Sequence, residues 1–132
     1  MNAVCLTGNR PHKLPFVEGS REHQLLIERM NGAIRQLIGE GYRHFITGMA
    51  LGSDIWFAEC VLGMKDVYPD VFLEAAVPYA GQRDGLAAAD RFRYDAVLSK
   101  CAKVTVLGSE YTKYCMSRRN RYMVDNSDVV LV

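Results

Sequence analysis

The stretch ITGMALGSDIWFAE, residues 46–59, decides how the rest of the chain is read. The apolar, β-branched run at residues 45–47 stops at Gly48, a second glycine follows at Gly52, and Ser53-Asp54 opens a helix with Ile55, Ala58 and Leu62 on one face. A strand that turns through glycine into a helix is the front half of a β-α-β crossover, the connection that parallel strands require.

The same alternation extends in both directions. Upstream, residues 4–7 read as a buried-type strand halted by Gly8, and Pro11 and Pro15 make 9–19 a loop. Ser20 is placed to cap a helix with Glu22 in its first turn. Leu26, Met30, Ile34, Leu37 and Ile38 then recur at helical spacing until Gly39 and Gly41 end the run. Downstream, 71–77 is a third strand closed by Pro78, and Tyr94, Val97, Leu98 and Cys101 mark the inner face of another helix. A fourth strand at 104–107, a short helix at 117–124 and a fifth strand at 129–132 follow. The strands are short and apolar without alternation, so both their faces are covered. The predicted architecture is α/β, a three-layer Rossmann-like sandwich around a mostly parallel five-stranded sheet. No repeat or linker divides the chain, and one domain over residues 1–132 is expected.

Sixteen basic side chains against fifteen acidic ones leave a net charge of +1, which supplies no footprint for general nucleic-acid binding. No apolar run approaches the ~20 residues needed to span a bilayer. The first residues lack the basic start and apolar stretch of a secretory signal, so a cytoplasmic location without a membrane partner is expected. Cys5, Cys60, Cys101 and Cys115 form no CxxC pair and have no histidine at metal-ligand spacing. They read as reduced thiols that pack, and no metal site is expected.

In a parallel sheet, ligands bind beyond the carboxyl ends of the strands, near the point where strand order reverses. Gly8-Asn9-Arg10 follows strand one, residues 48–54 follow strand two, and 78–82 follow strand three, so all three groups fall at that edge. Gly48 and Gly52 can let a ligand approach the main chain, and amides at the following helix start favour an anion. The spacing is neither G-x-G-x-x-G nor G-x-x-x-x-G-K-[ST], and the glycines fit a tight, closely packed turn equally well. Asp54 repels phosphate but suits a ribose hydroxyl, a base amine or a metal-bound water; position alone favours N-capping for it. Glu59 lies about 140° around the helix from Asp54, so the two carboxylates need not converge. Arg10 is the better phosphate partner because a guanidinium forks onto two oxygens; Arg118-Arg119 share that chemistry, with Arg118 assigned to a solvated face. His12, His23 and His44 stand apart in sequence, and a surface role is favoured for His12.

Three stretches, TGNRPHKL (7–14), ITGMALGSDIWFAECVL (46–62) and YCMSRRNRYMVDNSDVVLV (114–132), resemble the YpsA-like branch of the SLOG superfamily. This Rossmann-like group is related to the DNA-processing protein DprA and to the LOG-type nucleotide phosphoribohydrolases. The resemblance covers nearly the whole chain and implies binding of a nucleotide or nucleotide-derived ligand, such as an ADP-ribose-like compound. Carried over, it points to Gly8, Arg10, Gly48, Gly52, Ser53, Asp54, Arg119, Asn120 and Asp125 as pocket residues, with Tyr79 and Gln82 matching the segment after the third strand. Asn120 and Asp125 could bind a base or sugar, or brace the short helix. Tyr122 and Met123 are assigned to the core.

The pattern departs in three places. Asn9 stands where the family usually has histidine, Leu86 occupies a site commonly held by tryptophan, and the sequence stops at Val132 where relatives continue into a glycine-rich loop and a further helix. The last departure leaves one face of strand five uncovered and suggests a homodimer. The leading expectation is a nucleotide-binding sensor or regulatory domain. The alternatives are N-glycosidic-bond hydrolysis with Asp54 or Glu59 as acid or base, single-stranded DNA binding, and an inactive scaffold. The P-G-G-x-G-T-x-x-E motif of the hydrolases is absent from the sequence.

Overall fold

The computed structural model describes residues 2–7 and 17–132. Five strands, β1 (Ala3–Leu6), β2 (His44–Thr47), β3 (Phe72–Val77), β4 (Lys103–Val106) and β5 (Val129–Leu131), alternate with four helices, α1 (Arg21–Gly39), α2 (Ser53–Gly63), α3 (Ala88–Ser99) and α4 (Cys115–Asp125). The sheet runs β4-β3-β2-β1-β5 and every neighbouring pair is parallel. Strand order therefore reverses between β1 and β5, which fixes the switch point at the carboxyl ends of those two strands.

The register sorts side chains between the two faces. Val4 pairs with Phe45, and Phe45 with Leu73. These residues, with Leu6, Ala75 and Val77, belong to one core shared with Ile34 and Ile38 of α1, Phe57 and Val61 of α2, and Tyr94 and Val97 of α3. On the opposite face Ala3, Cys5, Ile46 and Ala76 meet Met123 of α4. Three helices thus cover one side and α4 the other, the three-layer sandwich expected of right-handed crossovers. Helix α2 is apolar on most of its circumference, with eight of its eleven residues buried, because it is flanked by α1 and α3 as well as the sheet.

The ends of the elements follow local chemistry. Ser20 caps α1, its hydroxyl accepting the His23 amide at 3.3 Å. The far end closes through Gly41 at φ +104°, and Arg43 donates to the Ile38 carbonyl at 2.7 Å. The expectation that Ser53 or Asp54 caps α2 is not met. Gly52 is the N-cap residue, at φ +89°, and among the described residues no side chain caps the helix. Helix α4 begins two residues before the predicted start, bringing Cys115 into the buried face.

All four cysteines are free, three of them buried. Burial pushes the Cys60 and Cys101 thiols up to about 11 and raises Cys5 as well, so they are held in the protonated, packing form. No helix among the described residues is long and apolar enough to cross a membrane.

Candidate functional site at the carboxyl edge

The turn after β2 is organised around Gly48. Arg119, reaching over the sheet edge from α4, donates to the Gly48 carbonyl at 2.8 Å. A Cβ on Gly48 would lie 2.8 Å from Arg119 Nε and 2.8 Å from Asp54 Oδ2, so the glycine is there because two buried charged side chains close around it. Met49 follows in the left-handed region at φ +63°, its amide 3.3 Å from Thr47 Oγ1. The Thr47 hydroxyl in turn donates to the Asp54 carbonyl at 2.8 Å, and Asp54 Oδ2 accepts the Ala50 amide at 3.2 Å. Asp54 therefore folds back to hold the turn it follows, which is why it does not cap the helix.

Burial decides what the turn can offer. Ser53, Asp54 and Arg119 are 6 %, 5 % and 6 % exposed, and Gly48 and Gly52 are buried, while Ala50 and Leu51 are half-buried. Beside Gly52 lies a cavity of about 260 Å³ lined by Leu51, Gly52, Ile55, Trp56, Glu18, Asp90 and Arg93. Trp56 Nε1 donates to Glu18 at 2.6 Å, and Arg93 donates to Glu18 at 2.5 Å and grips both oxygens of Glu59 at 2.6 and 2.7 Å. Glu59 is thereby turned to an ion pair with α3 and away from Asp54. With Arg93 facing two carboxylates of its own, the cavity lining leans acidic and suits a neutral hydroxyl or amine group better than a phosphate.

The other residues singled out in the sequence fall into three groups. Gly8 and Arg10, with Asn9 and His12, lie outside the described residues. Tyr79, Gln82, Arg119 and Asn120 are at the carboxyl edge with the Gly48 turn. Tyr79 meets Tyr111 edge-on at 5.6 Å between centroids, and Asn120 Oδ1 accepts from Arg119 Nε at 3.1 Å. Gln82 is buried and points inward, its Oε1 accepting the Tyr94 hydroxyl at 2.8 Å. The loops after β3 and β4 are tied together by the Ala80 amide on the Gly108 carbonyl at 3.0 Å. Asp125 is the exception: it is exposed at the last turn of α4, at the edge where the strands begin, and is not brought to the cleft.

Glu74 is a buried charge that the sequence reading passed over. It sits in β3 on the α4 face, 1 % exposed, with His44 Nε2 at 2.7 Å, the Thr105 hydroxyl donating at 2.9 Å and the Tyr122 hydroxyl at 2.5 Å. Burial works to raise its carboxyl, but the three hydrogen bonds and nearby Lys103 prevail and hold it at about 2. The signal was present: a glutamate inside the apolar run VFLEAAV must find partners once the strand is covered. Tyr122, assigned to the core, is half-buried there as one of them.

The sequence has counterparts among known proteins. The family model YpsA, described as the YspA SLOG family, matches residues 4–132. A UPF0398 protein of Halalkalibacterium halodurans is 29 % identical over all of this chain and 71 % of its own length. UPF0398 proteins of Shouchella clausii and Bacillus velezensis are 26 % and 22 % identical over all of this chain and 72 % and 74 % of their lengths. With nearly every residue inside the family match, the chain belongs to the YspA SLOG family.

Proposed function

We propose that the chain, as a single domain, binds a nucleotide-derived small molecule at the carboxyl edge of the sheet, beside the Gly48–Asp54 turn, and acts as a sensor or regulatory domain. The observation that carries the reading is the cavity against Gly52 and the start of α2, adjoining a turn fixed by Arg119 and Asp54. A preorganised turn costs little to order on binding. At about 260 Å³ the cavity is near the lower end of ligand-pocket sizes, matching one ring system rather than a whole dinucleotide. Its acidic lining assigns it the ribose or base end of the ligand, through Glu18, Asp90 and the backbone of Leu51 and Gly52. The phosphate end then extends out of the cavity over the carboxyl edge of the sheet.

Hydrolysis of an N-glycosidic bond has less support. Glu59 is engaged by Arg93, and the Asp54 carboxylate accepts a backbone amide within its own turn. Neither is arranged as an acid-base pair. The test is a thermal-shift comparison of AMP, ADP-ribose and free ribose 5-phosphate at millimolar concentration. A ligand present at a hundredfold its Kd should add about 2.7 kcal/mol of stability, a rise of several degrees. Asp90→Arg, at a half-buried cavity position, should reduce that rise; an equal rise in the variant would remove the ligand from this cavity.

A further inference from the structure

The net charge of +1 conceals a strong segregation. Residues 17–99 contain twelve acidic and eight basic side chains, whereas residues 103–125, to the end of α4, contain five basic ones and two acids, Glu110 and Asp125. The structure collects the second group on one side of the molecule. Lys103 lies on the α4 face of β4, in register with Glu74, and is exposed. Arg118 and Arg121 are exposed on α4, and with Tyr114 they follow the spacing of one helical stripe, turned away from buried Cys115, Arg119 and Met123 and ended by the exposed Asp125. Lys113 completes the set from the preceding loop. Among the described residues these four cations make no ion pair with a carboxylate, unlike Arg43, Arg83 and Arg93 elsewhere.

Two tyrosines stand among the four cations. Tyr111 is 65 % and Tyr114 is 67 % exposed, large aromatic rings that the core does not use. Each is held in place: Tyr79 meets Tyr111 edge-on, and the Lys113 ammonium lies 5.5 Å from the Tyr114 ring centre. Exposed rings interleaved with unpaired cations match a chain that alternates flat bases with phosphates. An acidic peptide would use the cations and leave the rings without a role.

From this surface we infer that the loop at 107–114 and the outer face of α4 bind single-stranded nucleic acid. Tyr111 and Tyr114 stack on bases, and Lys103, Lys113, Arg118 and Arg121 neutralise phosphates. This goes beyond small-molecule binding and does not depend on it, since none of these six residues lines the cavity beside Gly52. It also reverses the expectation drawn from net charge, because recognition follows the local field and not the total.

The experiment is fluorescence anisotropy with a fluorescein-labelled twenty-nucleotide oligothymidylate, titrated with the whole chain at several salt concentrations. Saturable binding is expected, with a log–log salt slope of about −3 for four phosphate contacts at roughly −0.7 each. The Tyr111→Ala, Tyr114→Ala double variant should bind at least tenfold more weakly with little change in the salt slope. Arg118→Glu with Arg121→Glu should lower both affinity and slope. All six positions are on the surface, so unchanged melting temperatures will show that the variants fold. Absence of binding at 50 mM salt, wild-type affinity in the tyrosine variant, or equal competition by polyglutamate would each overturn the inference, the last two by leaving a surface for acidic proteins.

Discussion

Glu74→Ala is expected to destabilise the chain by about 3–5 kcal/mol, the usual cost of removing one partner from a buried, hydrogen-bonded charge cluster. The substitution leaves the hydroxyls of Tyr122 and Thr105 and the His44 ring without the acceptor they converge on. It also releases the link between α4 and the β3–β4 half of the sheet. Glu74→Gln, which keeps a carbonyl acceptor of the same shape, should cost less. The dependence on pH provides an independent readout. The carboxyl is held at about 2 in the folded chain, below its ordinary 4.5, so its contribution is complete above pH 4.5 and lost as pH falls toward 2. That loss amounts to roughly 3 kcal/mol, and urea melts across this window should show a shallower decline in the alanine variant.

Gly48→Ala is expected to cost about 2–3 kcal/mol, a large effect for one methyl group. The new carbon would lie within 2.9 Å of Arg119 Cδ as well as against Arg119 Nε and Asp54 Oδ2. Both side chains are buried and already bonded, Arg119 to the Gly48 carbonyl and Asp54 to the Ala50 amide, so neither can move aside without losing a hydrogen bond. Gly39→Ala, where a Cβ would meet nothing within 4 Å, is the matched control and should be neutral or slightly stabilising. Equal melting curves for the two variants would show that the Arg119–Gly48–Asp54 arrangement does not exist in solution.

The layers of the fold were legible because each strand and helix announces itself over a few residues. The run at 45–47, the helical spacing of Ile34, Leu37 and Ile38, and the apolar strand before Pro78 all form the elements they predict. The start of α2 was misread because capping was judged from residue type. Asp54 is a good cap in isolation, but the Ala50 amide and the Thr47 hydroxyl draw that residue into a backward-facing turn, and Gly52 takes the cap position. Arg119 was beyond local reasoning for a different reason. Its partner, Gly48, is 71 residues away, and only the strand order brings α4 over the end of β2. The helical phase that buries Cys115, Arg119 and Met123 while exposing Arg118 and Arg121 is present in the sequence, and Arg118, assigned to a solvated face, is exposed. Asp125 was carried to the site by resemblance alone, and the length of α4 delivers it to the other edge.

The roles of the glycines follow from the same geometry. Gly48 serves close packing, and Gly52 serves a backbone angle that side-chain-bearing residues rarely adopt. What these two make room for is a fixed turn, half-exposed at Ala50 and Leu51, with a cavity against its flank.

Amide chemical-shift mapping tests the proposed site most directly. On titrating ¹⁵N-labelled protein with ADP-ribose, the account predicts saturable shifts centred on Ala50, Leu51, Gly52 and Trp56, including the Trp56 indole N–H that bonds Glu18. Shifts confined to the helical surface away from the β2–α2 turn, or none at millimolar ligand in a folded sample, would contradict it.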